Sequence, residues 1–225
     1  MNYFVYQLFI YANSVKLALT ALNKSYGSHA VLAIDTWQIP AGIFWIQGEN
    51  GAGKSTLFRI LAGMLPFEGT VVLDDSIDQK KQPILYRLRV NIGEAEPLYP
   101  SFLTPADLLH FVAEAKKSPP GQLEELVQAL GINFLSQPLG ACSSGMVKKT
   151  SLALAFLGQP GLIILDEPLI TIDQEARSAL FLLIKKYHSR GVSFLLSSHQ
   201  PFDPADLPLS GGFLLQNRTL VPLPV

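Results

Sequence analysis

Hydrophobic and polar positions along this chain change period several times, and each change marks an element. Two runs, Ile43-Phe44-Trp45-Ile46-Gln47 and Leu162-Ile163-Ile164-Leu165, are apolar at nearly every position rather than at alternate ones. Such runs suit strands of a parallel sheet that are covered on both faces. Val192-Ser193-Phe194-Leu195-Leu196 reads as a third strand of this kind. Between and after them the period lengthens. Ser55 to Leu65 carries apolar residues at helical spacing and leaves through Gly-Met-Leu-Pro. Val147 to Leu157 predicts a second helix, closed by Gly158 and Pro160, and Gln174 to His188 an amphipathic third. Strands alternating with helices predict an α/β domain.

The flanks read differently. Val15 to Gly48 predicts antiparallel strands, Thr70 to Asp75 a strand and turn, and Gly212 to Val221 a closing hairpin. Ser101 to Gly140 predicts helices. Periodicity holds from Pro105 to Glu114, breaks at Pro119-Pro120-Gly121, and resumes from Leu123 to Leu130.

Composition narrows the picture. The chain has 225 residues, 48% hydrophobic and 16% charged, with a net charge of -1. That size fits one domain with a small inserted lobe. Near-neutral charge offers no basic field for nucleic acid, so no nucleic-acid partner is expected. The single cysteine, Cys142, excludes an internal disulfide framework. Met1 to Val15 is apolar but interrupted by Asn2, Gln7 and Asn13. It falls short of the ~20 residues a membrane span takes and reads as an edge strand or a packed segment.

Candidate chemistry begins where the first buried strand meets the first helix. There the chain reads GENGAGKST, Gly48 to Thr56. Gly48, Gly53, Lys54 and Ser55 satisfy the spacing G-x-x-x-x-G-K-[ST]. Glycines let the backbone turn its N–H groups inward around an anion, and the helix start adds partial positive charge. Lys54 is placed to reach the β- and γ-phosphates of a nucleotide, and the Ser55 hydroxyl to ligate Mg2+.

The second run ends in Asp166-Glu167-Pro168, so two carboxylates emerge at the C-terminal edge of a strand, where open α/β sheets bind ligands. Asp166 suits Mg2+ and Glu167 suits an attacking water. The third strand ends in Ser197-Ser198-His199, which places an imidazole at the same edge. Cys142-Ser143-Ser144-Gly145-Met146 opens another helix, with serines suited to its N-cap. It offers a second anion-ready helix start in a chain whose glycine loop already holds one nucleotide.

In their order, GENGAGKST, CSSGM, LIILDEP and LLSSH resemble the nucleotide-binding domain of ABC transporters, over nearly the whole chain from about Lys16. The resemblance implies a P-loop NTPase core with a mostly parallel sheet, an N-terminal antiparallel β subdomain, and a small helical subdomain over about residues 101–140. It implies ATP and Mg2+ as ligands and ATP hydrolysis as the activity. Gly48, Glu49, Asn50, Gly51, Ala52, Gly53, Lys54, Ser55 and Thr56 match the Walker A loop. Asp166 matches the Walker B aspartate, Glu167 the catalytic glutamate, His199 the switch histidine, Asp173 the D-loop aspartate, and Tyr26 the aromatic that stacks on adenine.

Two places depart from the family pattern. The signature keeps Ser143 and Gly145, while Cys142, Ser144 and Met146 stand where leucine, glycine and glutamine are usual. In the Q-loop, Glu94 or, two residues on, Glu96 stands where glutamine is usual, with Glu94 expected beside Mg2+.

The resemblance implies a head-to-tail dimer, either of two copies or of this chain with a second ATPase subunit, in which the signature of one contacts the nucleotide of the other. It also implies a separate integral membrane permease, with the chain peripheral on the cytoplasmic face. Leu98, Tyr99, Phe102 and Leu103 are candidates for its docking groove. A short single cassette that stops after the closing hairpin points to export over import. The rivals are a soluble ATPase of the same class acting on ribosomes or nucleic acid, and a nucleotide-binding module without turnover.

Overall fold

The computed structural model describes residues 15–223, and the apolar segment before Val15 lies outside the described residues. Two long strands, β1 (Val15–Tyr26) and β2 (His29–Pro40), pair antiparallel and are joined by a tight turn at Gly27. With β4 (Glu68–Leu73) and β5 (Ile77–Asp78) they form a four-stranded sheet in the order β2-β1-β4-β5.

The second sheet contains the three buried runs. β3 (Ile43–Gln47), β6 (Val90–Gly93), β7 (Leu162–Leu165) and β8 (Ser193–Ser197) run parallel with β9 (Gly211–Gln216), and β10 (Thr219–Leu223) closes the edge as an antiparallel hairpin. The strand order is β10-β9-β3-β8-β7-β6.

Period-two geometry divides these strands between two cores. Leu162, Ile164 and Leu195 join β1, β2, β4 and helix α1 (Lys54–Leu61) in one cluster. Ile163, Leu165, Phe194 and Leu196 face the other way. They pack on helices α3 (Pro105–Ala115), α4 (Gln122–Ala129), α5 (Ser144–Phe156) and α6 (Gln174–His188). Both faces of the parallel sheet are thus covered, which is why its strands tolerate no alternation of polar residues.

The helices start and stop for local reasons. Thr104 caps α3 in a capping box with Asp107, and Pro105 occupies the first turn. A left-handed Gly121 opens α4 directly after Pro119-Pro120. Asp173 caps α6 by accepting from the Ala176 amide. A further seven-residue helix, α2 (Pro83–Arg89), leads into β6. No helix among the described residues is long and apolar enough to cross a membrane.

Candidate functional site: a glycine-loop cleft at the strand ends

The cleft lies at the C-terminal ends of β3, β7 and β8. Its volume is about 650 Å3. Its lining joins the glycine loop (Glu49, Asn50, Gly51, Gly53, Lys54, Ser55, Thr56) to Asp166, Glu167 and His199. Residues more than 140 positions apart in sequence therefore share one site.

The loop is tight because it must be. Gly48 has φ 158°, and a Cβ there would come within 2.8 Å of the Leu215 carbonyl oxygen. Gly53 caps α1 at φ 103°, and a Cβ there would come within 2.9 Å of Val31 Cγ1. Lys54 reaches back across the loop, its ammonium donating to the carbonyls of Gly48 at 2.6 Å and Glu49 at 3.2 Å. Ala52 and the far side of the loop face an adjoining hollow formed with His29 and the β9–β10 hairpin.

On the opposite wall, Asp166 and Glu167 are 4% and 8% exposed, so the strand delivers two nearly buried carboxylates into one cleft. Ser197 on β8 connects them: its hydroxyl donates to Asp166 Oδ1 at 2.5 Å and accepts from the Glu167 amide at 2.8 Å. Glu167 has φ 45°, left-handed for a residue that is not glycine, at a cost of about 1–2 kcal/mol. Its Oε2 accepts from the His199 amide at 3.3 Å. Its Oε1 is buried without a hydrogen-bond partner. His199 Nε2 lies 3.6 Å from that oxygen. A carboxylate oxygen so placed, facing a glycine loop across the cleft, can accept a hydrogen bond from a water.

Hard oxygen donors also meet here. Ser55 and Asp166 line the same cleft. Among the described residues no group of three His, Cys, Asp or Glu can hold a metal by protein side chains alone. A sparse oxygen set fits Mg2+, which keeps waters and substrate phosphates as its other ligands.

Three expected residues are placed differently. Tyr26 is half exposed at the end of β1, outside the cleft lining, with the Lys24 ammonium 4.9 Å from its ring centroid. Glu94 meets the cleft through Arg59, which lines it. Its carboxylate pairs with Arg59 at 2.6 Å, and the residue borders an apolar groove on the other face of the segment. Ala95 and Glu96 line the cleft directly, while the Glu94 carboxylate is held by Arg59. Tyr99 is mostly buried and hydrogen-bonded to Ser151, with its phenol pushed above the usual range chiefly by burial. It lines the groove rather than standing proud of it, whereas Leu98 and Phe102 are 91% and 78% exposed.

The second helix start is also built as expected. Ser143 caps α5 by accepting from the Met146 amide at 3.2 Å, and the Met146 thioether accepts from the Ser143 amide. Gly145 packs against the segment before α6, where a Cβ would fall 2.6 Å from the Thr171 carbonyl oxygen. The next turn of α5 reaches the same segment through Lys149, 2.6 Å from Asp173. That hydrogen bond is the main reason the Asp173 carboxyl lies below its ordinary range. Neither Ser143, Ser144 nor Gly145 lines the cleft that contains Lys54.

Two residues at the site, Arg59 and Lys148, carry no sequence motif, and Ser197 stands inside LLSSH with no role of its own read from the sequence. Lys148 is 2% exposed, and its ammonium donates to the carbonyls of Glu94, Ala95 and Asp166 at 2.7, 3.2 and 3.0 Å. Burial pulls its pKa down to about 8, partly offset by Asp166, Glu167 and Glu94.

Comparison with known proteins agrees with this geometry. The family model described as ABC transporter matches residues 35–170. The chain is 32% identical over 187 residues, 81% of its length and 67% of the other's, to the aliphatic sulfonates import ATP-binding protein SsuB 2 of Burkholderia cenocepacia. It is 33% identical over 191 residues, 82% of its length and 89% of the other's, to the cytochrome c biogenesis ATP-binding export protein CcmA of Haemophilus influenzae. A solved ATP-binding subunit of an ABC transporter superposes with a TM-score of 0.80 at 25% identity, covering 91% of this chain and 88% of that one. A dimeric post-hydrolysis state of the ATP-binding cassette MJ0796, bound to ADP and Pi, shares the fold with a TM-score of 0.71 at 18% identity, covering 91% and 96%. The chain belongs to the ABC transporter family, as an ATP-binding subunit with the ABC ATPase fold.

Proposed function

We propose that this ATPase drives transport as half of a head-to-tail pair, whose opening and closing a separate membrane permease converts into movement of cargo. The carrying observation is the separation between Ser143 and the cleft. The capped start of α5 has the form of an anion contact, yet none of its first residues lines the chain's own nucleotide cleft. A second subunit turned head to tail would bring that helix start to the γ-phosphate. The MJ0796 structure, a dimer of the same fold, supports this arrangement.

Within each site the roles follow from placement. The glycine-loop amides and Lys54 bind the phosphates. Glu167 Oε1 orients the attacking water and takes its proton, and His199 steadies the glutamate and contacts the terminal phosphate. Ser55, Asp166 and Glu96 would hold Mg2+, which supplies positive charge against the phosphate oxygens. Asp173, fixed by Lys149, borders the subunit contact. Tyr26 and the neighbouring hollow receive the nucleoside end.

The permease would dock in the apolar groove bordered by Met64, Ile84, Ile92, Tyr99 and Val112, on the cytoplasmic face of the membrane, with Leu98 and Phe102 on its exposed approach. Residues 101–140 form the helical subdomain that moves with it. Export is the proposed direction, supported by CcmA, a relative of matching length named for export. Import is represented too, by SsuB 2. Affinity purification from native membranes tests the reading. A co-purifying multi-span membrane protein is expected. Recovery only with ribosomes or DNA would replace the transporter by a soluble ATPase.

A further inference from the structure

Glu167 is held in a backbone conformation it would not adopt alone, with φ 45°. Such a residue persists only where its surroundings fix the adjoining peptide units. The unit before Glu167 consists of the Asp166 carbonyl and the Glu167 amide, and both ends are bonded. The carbonyl accepts from Lys148 Nζ at 3.0 Å, and the amide donates to Ser197 Oγ at 2.8 Å. Lys148 comes from α5 and Ser197 from the end of β8, so the plane is gripped from two sides by separate elements. Both residues are buried, at 2% and 0% exposure.

We propose that Lys148 and Ser197 are positioning residues that clamp the Asp166–Glu167 peptide unit and so aim the Glu167 carboxylate at the attacking water. The clamp rests on the reading of Glu167 as the base. An ammonium has three protons to donate, and Lys148 spends all three on backbone carbonyls, those of Glu94, Ala95 and Asp166. Filling space at that position would need only an apolar side chain, which would leave three carbonyls unpaired. Because α5 begins at the Ser143 cap, the same lysine ties that helix start to the strand end bearing the base and to the segment carrying Glu96. The neighbouring Lys149 makes a different kind of contact, with an Asp173 side chain that is 56% exposed. Solvent screens that pair, and it is no substitute for the buried one.

The experiment measures kcat and KM for Mg-ATP on the purified full chain carrying Lys148→Met, Lys148→Arg, Ser197→Ala or Ser197→Thr, each alone and combined with Glu167→Gln. Lys148→Met and Ser197→Ala should each lower kcat by about 10-fold or more while KM stays within about 2-fold, the pattern of a lost transition-state interaction. Lys148→Arg and Ser197→Thr, which keep a donor, should recover most of the loss. In the Glu167→Gln background Lys148→Met should lower the residual rate no further and Ser197→Ala by much less than in the wild-type background, because the clamp acts through Glu167 and what remains for Ser197→Ala reports its separate bond to Asp166 Oδ1. Ser197→Ala removes a single oxygen, so it decides the matter if Lys148→Met does not fold. Wild-type kcat in Ser197→Ala, or losses that are as large without the glutamate as with it, overturn the clamp. If Glu167→Gln is inactive and Ser197→Ala is not, only the clamp falls; if Glu167→Gln turns over normally, the base itself is misassigned and the clamp falls with it.

Discussion

The His199 amide donates to Glu167 Oε2 at 3.3 Å, while Oε1 of the same carboxylate is buried without a hydrogen-bond partner. One oxygen is thus anchored and the other is left to act. Removing the charge from that oxygen should separate binding from chemistry. Glu167→Gln is expected to bind ATP with near-native affinity and to lose at least ~10²-fold in turnover, the scale for a positioned base. Equilibrium binding of a fluorescent ATP analogue and steady-state phosphate release check the two halves.

The close approach of α5 to Thr171 gives a second expectation. Gly145 has no room for a methyl group, since the Cβ would lie 2.6 Å from a backbone oxygen. Thr171 already sits at φ 68°, so its segment has little freedom to retreat. Gly145→Ala should cost about 1–3 kcal/mol through overpacking. For a chain of this size that lowers Tm by about 2–4 °C per kcal/mol, readable by calorimetry.

Docking at the apolar groove makes a third. Leu98 and Phe102 are exposed, so charge there should leave the fold and ATP affinity intact. Leu98→Glu and Phe102→Glu are expected to shift the chain from the membrane to the soluble fraction of native cells, by roughly 10- to 150-fold in the docking equilibrium if each side chain contributes the ~1.5–3 kcal/mol of a buried apolar group. Quantitative immunoblotting of the fractions checks this. Tyr99→Glu is a poorer probe, because Tyr99 is mostly buried against Ser151 and the substitution would also disturb the domain.

Much of this site was written in the sequence, for a physical reason. Phosphate binding by backbone amides needs glycines at fixed spacing between a strand and a helix, so Gly48 to Thr56 announce themselves. Strands covered on both faces cannot hide among alternating patterns, so Leu162–Leu165 and the carboxylates after it were equally legible. Glu94 and Glu96 were not separable: both are carboxylates two residues apart, and only the exit of the chain from β6 pairs one with Arg59 and leaves the other lining the cleft directly. Lys148 was invisible for a different reason. A lysine near a helix start reads as solvent-facing, and its burial depends on carbonyls contributed by residues 94, 95 and 166. The pair α2 and β6 gave no clear signal either, since seven residues are too short to show a helical period and Asn91 breaks the apolar run of β6.

The central claim is that each nucleotide is completed by the α5 start of a second subunit. Light scattering of purified Glu167→Gln with saturating Mg-ATP tests it most directly, with the same chain carrying Ser143→Arg in parallel. The account predicts a dimer for Glu167→Gln, a monomer without nucleotide, and a monomer for the double variant even with ATP. A Glu167→Gln chain that binds ATP at saturation and stays monomeric, or a double variant that dimerises as well as its parent, would contradict it.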